Sequence, residues 1–512
     1  MGGKSHVQLD GTLIKEAGLM LGCTETSSTT PCGCASNIAY SLKIRQRFGD
    51  PERPRKIPQR YLRVYEDELR KLYRQILDTT SHKRILDWSE IPERYTGAQK
   101  ASYLDALDLA TNYPIQSVGC VMNKWGERCA PDVEDKRGRP RAIIPQYMRH
   151  PLTGRFLPAP ILVELPIRLM VEEGLHDLHN PSGSKQFASG RSLQQRAQDI
   201  TTMFRPNWAC ISIDAESFDG SLGELAKLER DAVWKYAGRM GAANPQLKRV
   251  LQQQNNLRLW HRELEGELKL NRASGTAGTS SGNKAVMIAA LRAAAKTSYY
   301  DGSLEFYCDG DDTLLFVSPD LVATFDDIEN PRGPCPLFRS WVRRLYLMGL
   351  GIKVENIAFA PHEVVFCRSK IVETINGPTM VKIPSDAFKT QTCIVRHFKG
   401  SQLPDYLSTL RDGFSNLWAG VPVMHKLGHM FPEGRVNKKL LSGTGIERWM
   451  HTSHRTRHEI TMAARASFEQ TFGISPEVQI ALEEKFVAIG KEVAAALPLF
   501  DPKSTPTMLP VR

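Results

Sequence analysis

At 512 residues the chain is long enough for about three domains of ordinary size. Its 41% hydrophobic and 24% charged residues make a globular composition that excludes wholesale disorder. Lys and Arg number 67 against 56 Asp and Glu, a net charge of +11, which points to a polyanionic partner, nucleic acid before membrane.

The N-terminus, Met1 to His6, lacks the apolar core of a signal peptide, and its serine sits one position early for a myristoylation start. No apolar run approaches the ~20 residues that span a bilayer. Cys120, Cys210, Cys308, Cys367 and Cys393 stand in apolar or mixed contexts and read as reduced thiols. Cys23, Cys32 and Cys34 cluster without a fourth ligand or a zinc spacing. From Lys43 to Arg63 the chain is basic and proline-broken, either an RNA-facing arm or a solvated strap.

Apolar periodicity predicts a helix over Tyr61 to Leu77. A second basic stretch, Asn123 to Arg155, holds Lys124, Arg139 and Arg141, and Gly138 to Pro145 runs from a turn into a short strand. A helix is expected from Ile161 to Glu173. Trp208 to Ile213 is a buried-strand pattern that stops at Asp214, and a helix follows from about Leu222 to Met240. Ser274 to Gly282 reads as a loop of small residues opening an alanine-rich helix from Asn283 to Lys296. Leu304 to Tyr307 and Thr313 to Val317 are two short strands around a turn, Cys308-Asp309-Gly310-Asp311-Asp312. Trp341 to Met348 is helical and ends at Gly349-Leu350-Gly351. Val364 to Cys367 and Met380 to Ile383 are further strands. The last ~120 residues are helical and include the basic block His451 to His458, read as a solvated surface.

A strand ending in one aspartate and a hairpin turn holding two more make a set suited to divalent metal. Mg²⁺ takes oxygen ligands, keeps several waters, and is held by one or two carboxylates plus substrate phosphates. Two such ions can activate an attacking hydroxyl and stabilise the leaving oxygen of a phosphoryl transfer. Asp214 and Asp311 converge only if their strands are neighbours, which fits an α+β crossover layout of the ferredoxin-like kind. Each piece alone has an ordinary reading: Gly-Asp-Asp as a turn, Asp214 to Asp219 as a capped helix start, Ser274 to Thr279 as a generic loop. Their order, each at the end of the right kind of element, carries the weight.

The set resembles the RNA-dependent RNA polymerases of positive-strand RNA viruses, and is most similar to the tombusvirus and carmovirus branch. Asp214-x4-Asp219 is similar to that family's first palm motif, and Ser274-Gly275-x3-Thr279-x3-Asn283 to its second. Gly310-Asp311-Asp312 is similar to the third, Gly349 to Glu355 to the fourth, and Val365-Phe366-Cys367 to the fifth. Pro140 to Pro145 resembles the basic finger motif. The likeness runs from about Lys124 to Lys389, with departures at Gly220-Ser221 and at Asp309.

The resemblance implies a right-hand polymerase of α+β class, with an RRM-like antiparallel palm sheet. Fingers and N-terminal extension would occupy 1–205, the palm 206–392 with an inserted fingers segment at about 240–272, and a helical thumb and tail 393–512. It implies that Asp214 and Asp311 hold Mg²⁺, with Mn²⁺ able to substitute, and that Asp312 supports them or serves as a weaker metal ligand. Asp219 and Asn283 would read the ribose 2′-hydroxyl, helped by Ser274 or Thr279. Gly275 and Gly278 would let the loop flex against the template base. Arg141, with Lys124 or Arg139, would bind the triphosphate, and Lys353 would protonate the leaving pyrophosphate or remain a surface lysine. Implied partners are template and product RNA, NTPs, a membrane-anchored viral replication protein and host factors, in the host cytoplasm at membrane-associated replication complexes. Two alternatives share parts of the pattern. A reverse transcriptase shares the metal set, yet favours a bulky residue where Asp219 stands. A non-enzymatic RNA-binding protein shares the basicity and has no use for the three aspartates.

Overall fold

The computed structural model describes residues 56–123, 142–262, 264–322, 336–391, 402–441 and 457–496, together with 16, 17, 20, 21, 36, 38, 39 and 42. The fold is mixed α+β, with several sheets and many helices. The Cys23/Cys32/Cys34 cluster, most of the basic Lys43–Arg63 stretch and all but Arg457 and His458 of the histidine block lie outside the described residues.

At the centre is an antiparallel sheet of four strands. In chain order they are β4 (Ala209–Ala215), β7 (Leu304–Asp309), β8 (Asp312–Val317) and β9 (Ile352–Ala358). Their order across the sheet is β9-β4-β8-β7. Counted along the chain this is 4-1-3-2, with helices between the first and second strands and between the third and fourth, as a β-α-β-β-α-β unit requires. β4 is almost continuously apolar because it is interior and covered on both faces. Ile211 and Ile213 pack into the main helical core, whereas Cys210 joins Tyr307, Leu314 and Phe316 in a second cluster on the opposite face.

The helical face holds α7 (Thr279–Ala294), in which every residue from Ser281 to Ala294 is buried. A helix apolar all round must sit inside the molecule, and its alanines allow close approach by α1 (Gln59–Thr80), α3 (Ala159–His176), α5 (Gly223–Arg239) and α8 (Pro336–Leu347). α1 presents Tyr65, Leu69, Leu72, Tyr73 and Ile76 to this core, the face that its periodicity predicts.

A second, five-stranded sheet has the order β3-β2-β1-β5-β6. Its strands are β1 (Val118–Cys120), β2 (Gln146–Arg149), β3 (Phe156–Leu157), β5 (Asn256–His261) and β6 (Leu264–Lys269). β1 runs parallel to β5, so the 256–269 hairpin is built into a sheet with strands from the 118–157 region of the chain. Towards the C-terminus a hairpin of β10 (Ser369–Thr374) and β11 (Gly377–Lys382) leads to helices α9 (Gln402–Leu417), α10 (Met462–Phe472) and α11 (Pro476–Ala496), which enclose their own core around Phe414, Phe431, Phe468 and Phe486. Among the described residues no helix is long and apolar enough to cross a membrane.

Several element boundaries differ from expectation; α8, for example, begins at Pro336, five residues before Trp341. β4 continues through Asp214 to Ala215, because Lys353 and Ile352 of β9 pair with those two residues. The hairpin turn is shorter than the five residues expected: Asp309 pairs with Asp312, leaving Gly310 and Asp311 in the turn, with Gly310 at φ +84°. α7 begins at Thr279, four residues before Asn283, so Asn283 lies inside the helix and does not cap it. Val364 to Cys367 is not a ladder strand; Phe366 makes an isolated bridge to Ser369, and the chain reverses through Cys367 and Arg368, both at positive φ.

Candidate active site

The sheet register gathers the acidic residues. Asp214 follows Ile213 on β4, and Lys353 stands directly opposite it on β9, so the two side chains share one face. On the other side of β4, Thr313 pairs with Ile213, which brings Asp312, the first residue of β8, alongside Asp214. Asp311 is exposed at the tip of the turn. A register shift between Val354 and Asn356 makes Glu355 a bulged residue, at the same end of the sheet.

The charge balance at this end is strongly negative. Burial pushes the Asp312 carboxyl up to about 7, and the neighbouring charges of Asp311, Asp214 and Glu355 push in the same direction. Carboxylates that raise one another in this way are a set a cation would relieve. The donors are all oxygen, the chemistry that Mg²⁺ or Mn²⁺ takes. The residues therefore fit a hard divalent ion, although among the described residues no three His, Cys, Asp or Glu side chains are already closed around one point. One cation braces the turn from the side: Arg196 Nη2 lies 2.9 Å from Asp309 Oδ2, and Ser189 Oγ donates to Asp309 Oδ1 at 3.2 Å.

Next to the aspartates is a buried polar cluster. Beyond β4 the chain turns through Ser217 at φ +49° into a short 3₁₀ segment, Phe218–Ser221, that carries Asp219 inward to 5% exposure. Asn283 Nδ2 donates to Asp219 Oδ1 at 2.7 Å, and Ser274 Oγ donates to Asp219 Oδ2. Asn283 Oδ1 is buried without a hydrogen-bond partner among the described residues. An unmatched buried acceptor costs free energy unless a ligand donates to it. The Gly349–Gly351 segment lies against this turn, with Glu216 N donating to Gly351 O at 2.8 Å.

The 272–279 loop is held from several sides. Thr279 Oγ1 accepts from Gly275 N at 3.0 Å and donates to Ala273 O at 3.3 Å, so this hydroxyl braces the loop. Gly275 has φ +106°, and a Cβ there would stand 3.2 Å from the Pro145 backbone. Ile144 N donates to Ser274 O at 2.5 Å. The end of the Pro140–Pro145 motif is thus fastened to the loop that supplies Ser274, while Lys124, Arg139 and Arg141 lie outside the described residues.

Behind the loop is an ionic network that sequence patterning does not reveal. Glu229 of α5 is fully buried and accepts from Arg168 of α3, from Arg272 Nη2 at 3.0 Å and from Tyr73 of α1 at 2.8 Å. Arg168 Nε also donates to Glu164 at 2.7 Å. Burial alone would raise the Glu229 carboxyl; the two guanidiniums outweigh it and hold it down at about 2. Two glycines make room for these arginines. A Cβ at Gly278 would meet the Arg168 guanidinium at 2.5 Å, and one at Gly282 would meet that of Arg272 at 2.6 Å. Its trace in the sequence is Glu164 and Arg168 within the otherwise apolar first part of α3, a weak signal without the partners Glu229 and Arg272.

Comparison with known proteins agrees with the motif pattern and extends it. A family model described as viral RNA dependent RNA polymerase matches residues 34–493, well beyond the motif-bearing stretch. The chain is similar to the RNA-directed RNA polymerase of Pothos latent virus (isolate Pigeonpea/India), 24% identical over 441 residues, covering 82% of this chain and 54% of the relative. It is similar to the putative RNA-directed RNA polymerase of Barley yellow dwarf virus (isolate P-PAV), 22% identical, covering 83% and 47%. The RNA-directed RNA polymerase of Cymbidium ringspot virus is 23% identical over 415 residues, covering 76% and 46%. The chain thus spans about half the length of the curated relatives it matches. With its aspartates on neighbouring strands and a family match across most of its length, the chain belongs to the viral RNA-dependent RNA polymerase family.

Proposed function

We propose that the chain carries out template-directed RNA synthesis, transferring nucleotides from NTPs to an RNA 3′ end in replication of a viral RNA genome. The observation that carries this reading is the convergence of Asp214, Asp311 and Asp312 beside the buried Asp219–Asn283–Ser274 cluster. Asp214, Asp311 and Asp312 would hold divalent ions, Mg²⁺ with Mn²⁺ as a substitute. When bound, these ions would activate the attacking 3′-hydroxyl and stabilise the leaving oxygen.

The chain's own residues have distinct tasks in this reading. Asp219 and Asn283 present an oriented acceptor set to the ribose 2′-hydroxyl, the group that separates RNA precursors from DNA precursors. Ser274 fixes the second carboxylate oxygen of Asp219. Gly275 and Thr279 hold the loop shape. Lys353 would give a proton to the departing pyrophosphate, a role that its exposure and its position opposite Asp214 support. Lys124, Arg139 and Arg141 grip the triphosphate, for which guanidinium geometry is suited.

In the same reading the palm is 206–392, with an inserted fingers segment at about 240–272. Fingers and N-terminal extension occupy 1–205 and the helical thumb 393–512. The pairing of β5 with β1 supports counting the 256–269 hairpin with the fingers. Template and product RNA would be held through phosphates in a salt-sensitive manner. A membrane-anchored viral replication protein and host factors would place the enzyme at membrane-associated complexes in the host cytoplasm.

The test is incorporation of labelled NTPs on defined RNA templates without primer. The proposal expects incorporation that follows the template, so that a change of template base changes which nucleotide is used. RNA binding with no incorporation under any divalent ion would leave a binding protein instead, and preferential use of deoxynucleotides a reverse transcriptase.

A further inference from the structure

Arg272 touches the Asp219 turn and the residue that precedes Asn283. Its backbone N donates to the Asp219 carbonyl at 3.0 Å. Its side chain, 1% exposed, donates from Nη2 to Glu229 Oε2 at 3.0 Å. The guanidinium also lies where a Cβ on Gly282 would be, 2.6 Å away, immediately before Asn283 in α7. One side chain therefore touches α5 through Glu229 and α7 through Gly282, while its own backbone holds the Asp219 turn. Glu229 is fixed in turn by Arg168 and Tyr73, so the anchor spans α1, α3 and α5.

We propose that Arg272 is a positioning residue for sugar selection, setting the separation of Asp219 and Asn283 through its ion pair with Glu229. The inference rests on the reading of those two residues as the 2′-hydroxyl site. Arg272 does not touch the nucleotide; it keeps the amide and the carboxylate at hydrogen-bond distance while substrates enter and leave. A displacement on the order of 1 Å in such a pair is enough to change rates up to about a hundredfold. Buried positioning of this kind requires the supporting shell to be rigid, and the Glu229 network provides that with charge-assisted bonds.

The experiment measures the ratio of ribo- to deoxynucleotide incorporation efficiency in Arg272→Lys, Gly282→Ala and Asn283→Ala, with thermal unfolding of each. Arg272→Lys keeps the charge beside Glu229 and loses the forked geometry. Gly282→Ala keeps every charge and pushes the guanidinium aside. Both are expected to lower the ratio by about threefold or more, chiefly through ribonucleotide KM. An unchanged ratio in the folded Arg272 and Gly282 variants, with both efficiencies lowered together, would overturn the inference. If Asn283→Ala still lowers the ratio in that case, the 2′-hydroxyl reading stands and only the role of Arg272 falls. If Asn283→Ala also leaves it unchanged, both fall.

Discussion

Asn283 and Asp219, 64 positions apart in the chain, meet at 2.7 Å with the amide Nδ2 donating to the carboxylate Oδ1. The contact fixes the amide's orientation, because its nitrogen is committed to Asp219. The amide oxygen is left as a buried acceptor without a partner among the described residues. Such a pair favours a ligand that brings a hydroxyl, and a deoxynucleotide leaves it unmatched at a cost of about 1–3 kcal/mol for each group. Wild-type protein is therefore expected to prefer ribonucleotides by about tenfold or more, and Asn283→Ala to erode the preference mainly by weakening ribonucleotide use. Steady-state incorporation of matched ribo- and deoxynucleotides on one template checks this.

The fastening of Ile144 to Ser274 bears on the basic finger motif. Arg141 lies three residues before this anchor in the sequence. Arg141→Ala is expected to raise the apparent KM for nucleotides or lower kcat, and to leave RNA affinity without nucleotide nearly unchanged, since a triphosphate clamp acts on substrate and transition state. A fall in RNA affinity as large as the fall in catalysis would make Arg141 a template contact.

Glu229 predicts a large stability effect. Its carboxylate compensates two buried guanidiniums, those of Arg168 and Arg272. Removing one member of a buried ionic set typically costs about 3–5 kcal/mol, because the remaining charges stay buried and unpaired. Glu229→Ala should therefore lower the denaturant midpoint far more than a surface Glu→Ala such as Glu66→Ala, whose partner Arg70 is exposed.

Glu172 predicts a dependence on pH. Burial alone would raise its carboxyl; the His176 imidazole, with Nε2 3.5 Å away, and the Lys284 ion pair outweigh that and hold it at about 2. A carboxyl depressed on folding contributes stability that is fully present above its unfolded value and is lost as pH falls through its folded value. The contribution should thus fade between about pH 4.5 and about pH 2. Thermal unfolding of wild type and Glu172→Gln should converge over that window and differ above it.

Much of this architecture is legible in the residues, for identifiable reasons. The face of α1 and the near-continuous apolar run of β4 are local patterns, readable from spacing alone. The closeness of Asp214 and Asp312 follows once β4 and β8 are taken as neighbours, which the helices between them make natural. Less legible is what depends on partners distant in sequence. The start of α7 at Thr279 is hidden by small residues that resemble a loop, and Gly278 and Gly282 resemble flexibility when they are clearances for Arg168 and Arg272. Val364 to Cys367 has strand composition, yet its ladder position is lost to a reversal at Cys367 and Arg368. The bulge that places Glu355 with the aspartates is a register event, invisible in a single strand.

Nucleotidyl transfer is proposed to take place at the acidic end of the four-stranded sheet. Its most direct test is primer-free incorporation of NTPs on a defined RNA template, titrated with Mg²⁺, for wild type and Asp311→Ala, with unfolding curves for both. Asp311 is exposed at the hairpin tip, so its removal leaves the core packing untouched. Mg²⁺-dependent synthesis is expected of wild type, and its loss in a folded Asp311→Ala protein. Substantial Mg²⁺-supported synthesis by the folded variant would contradict this proposal.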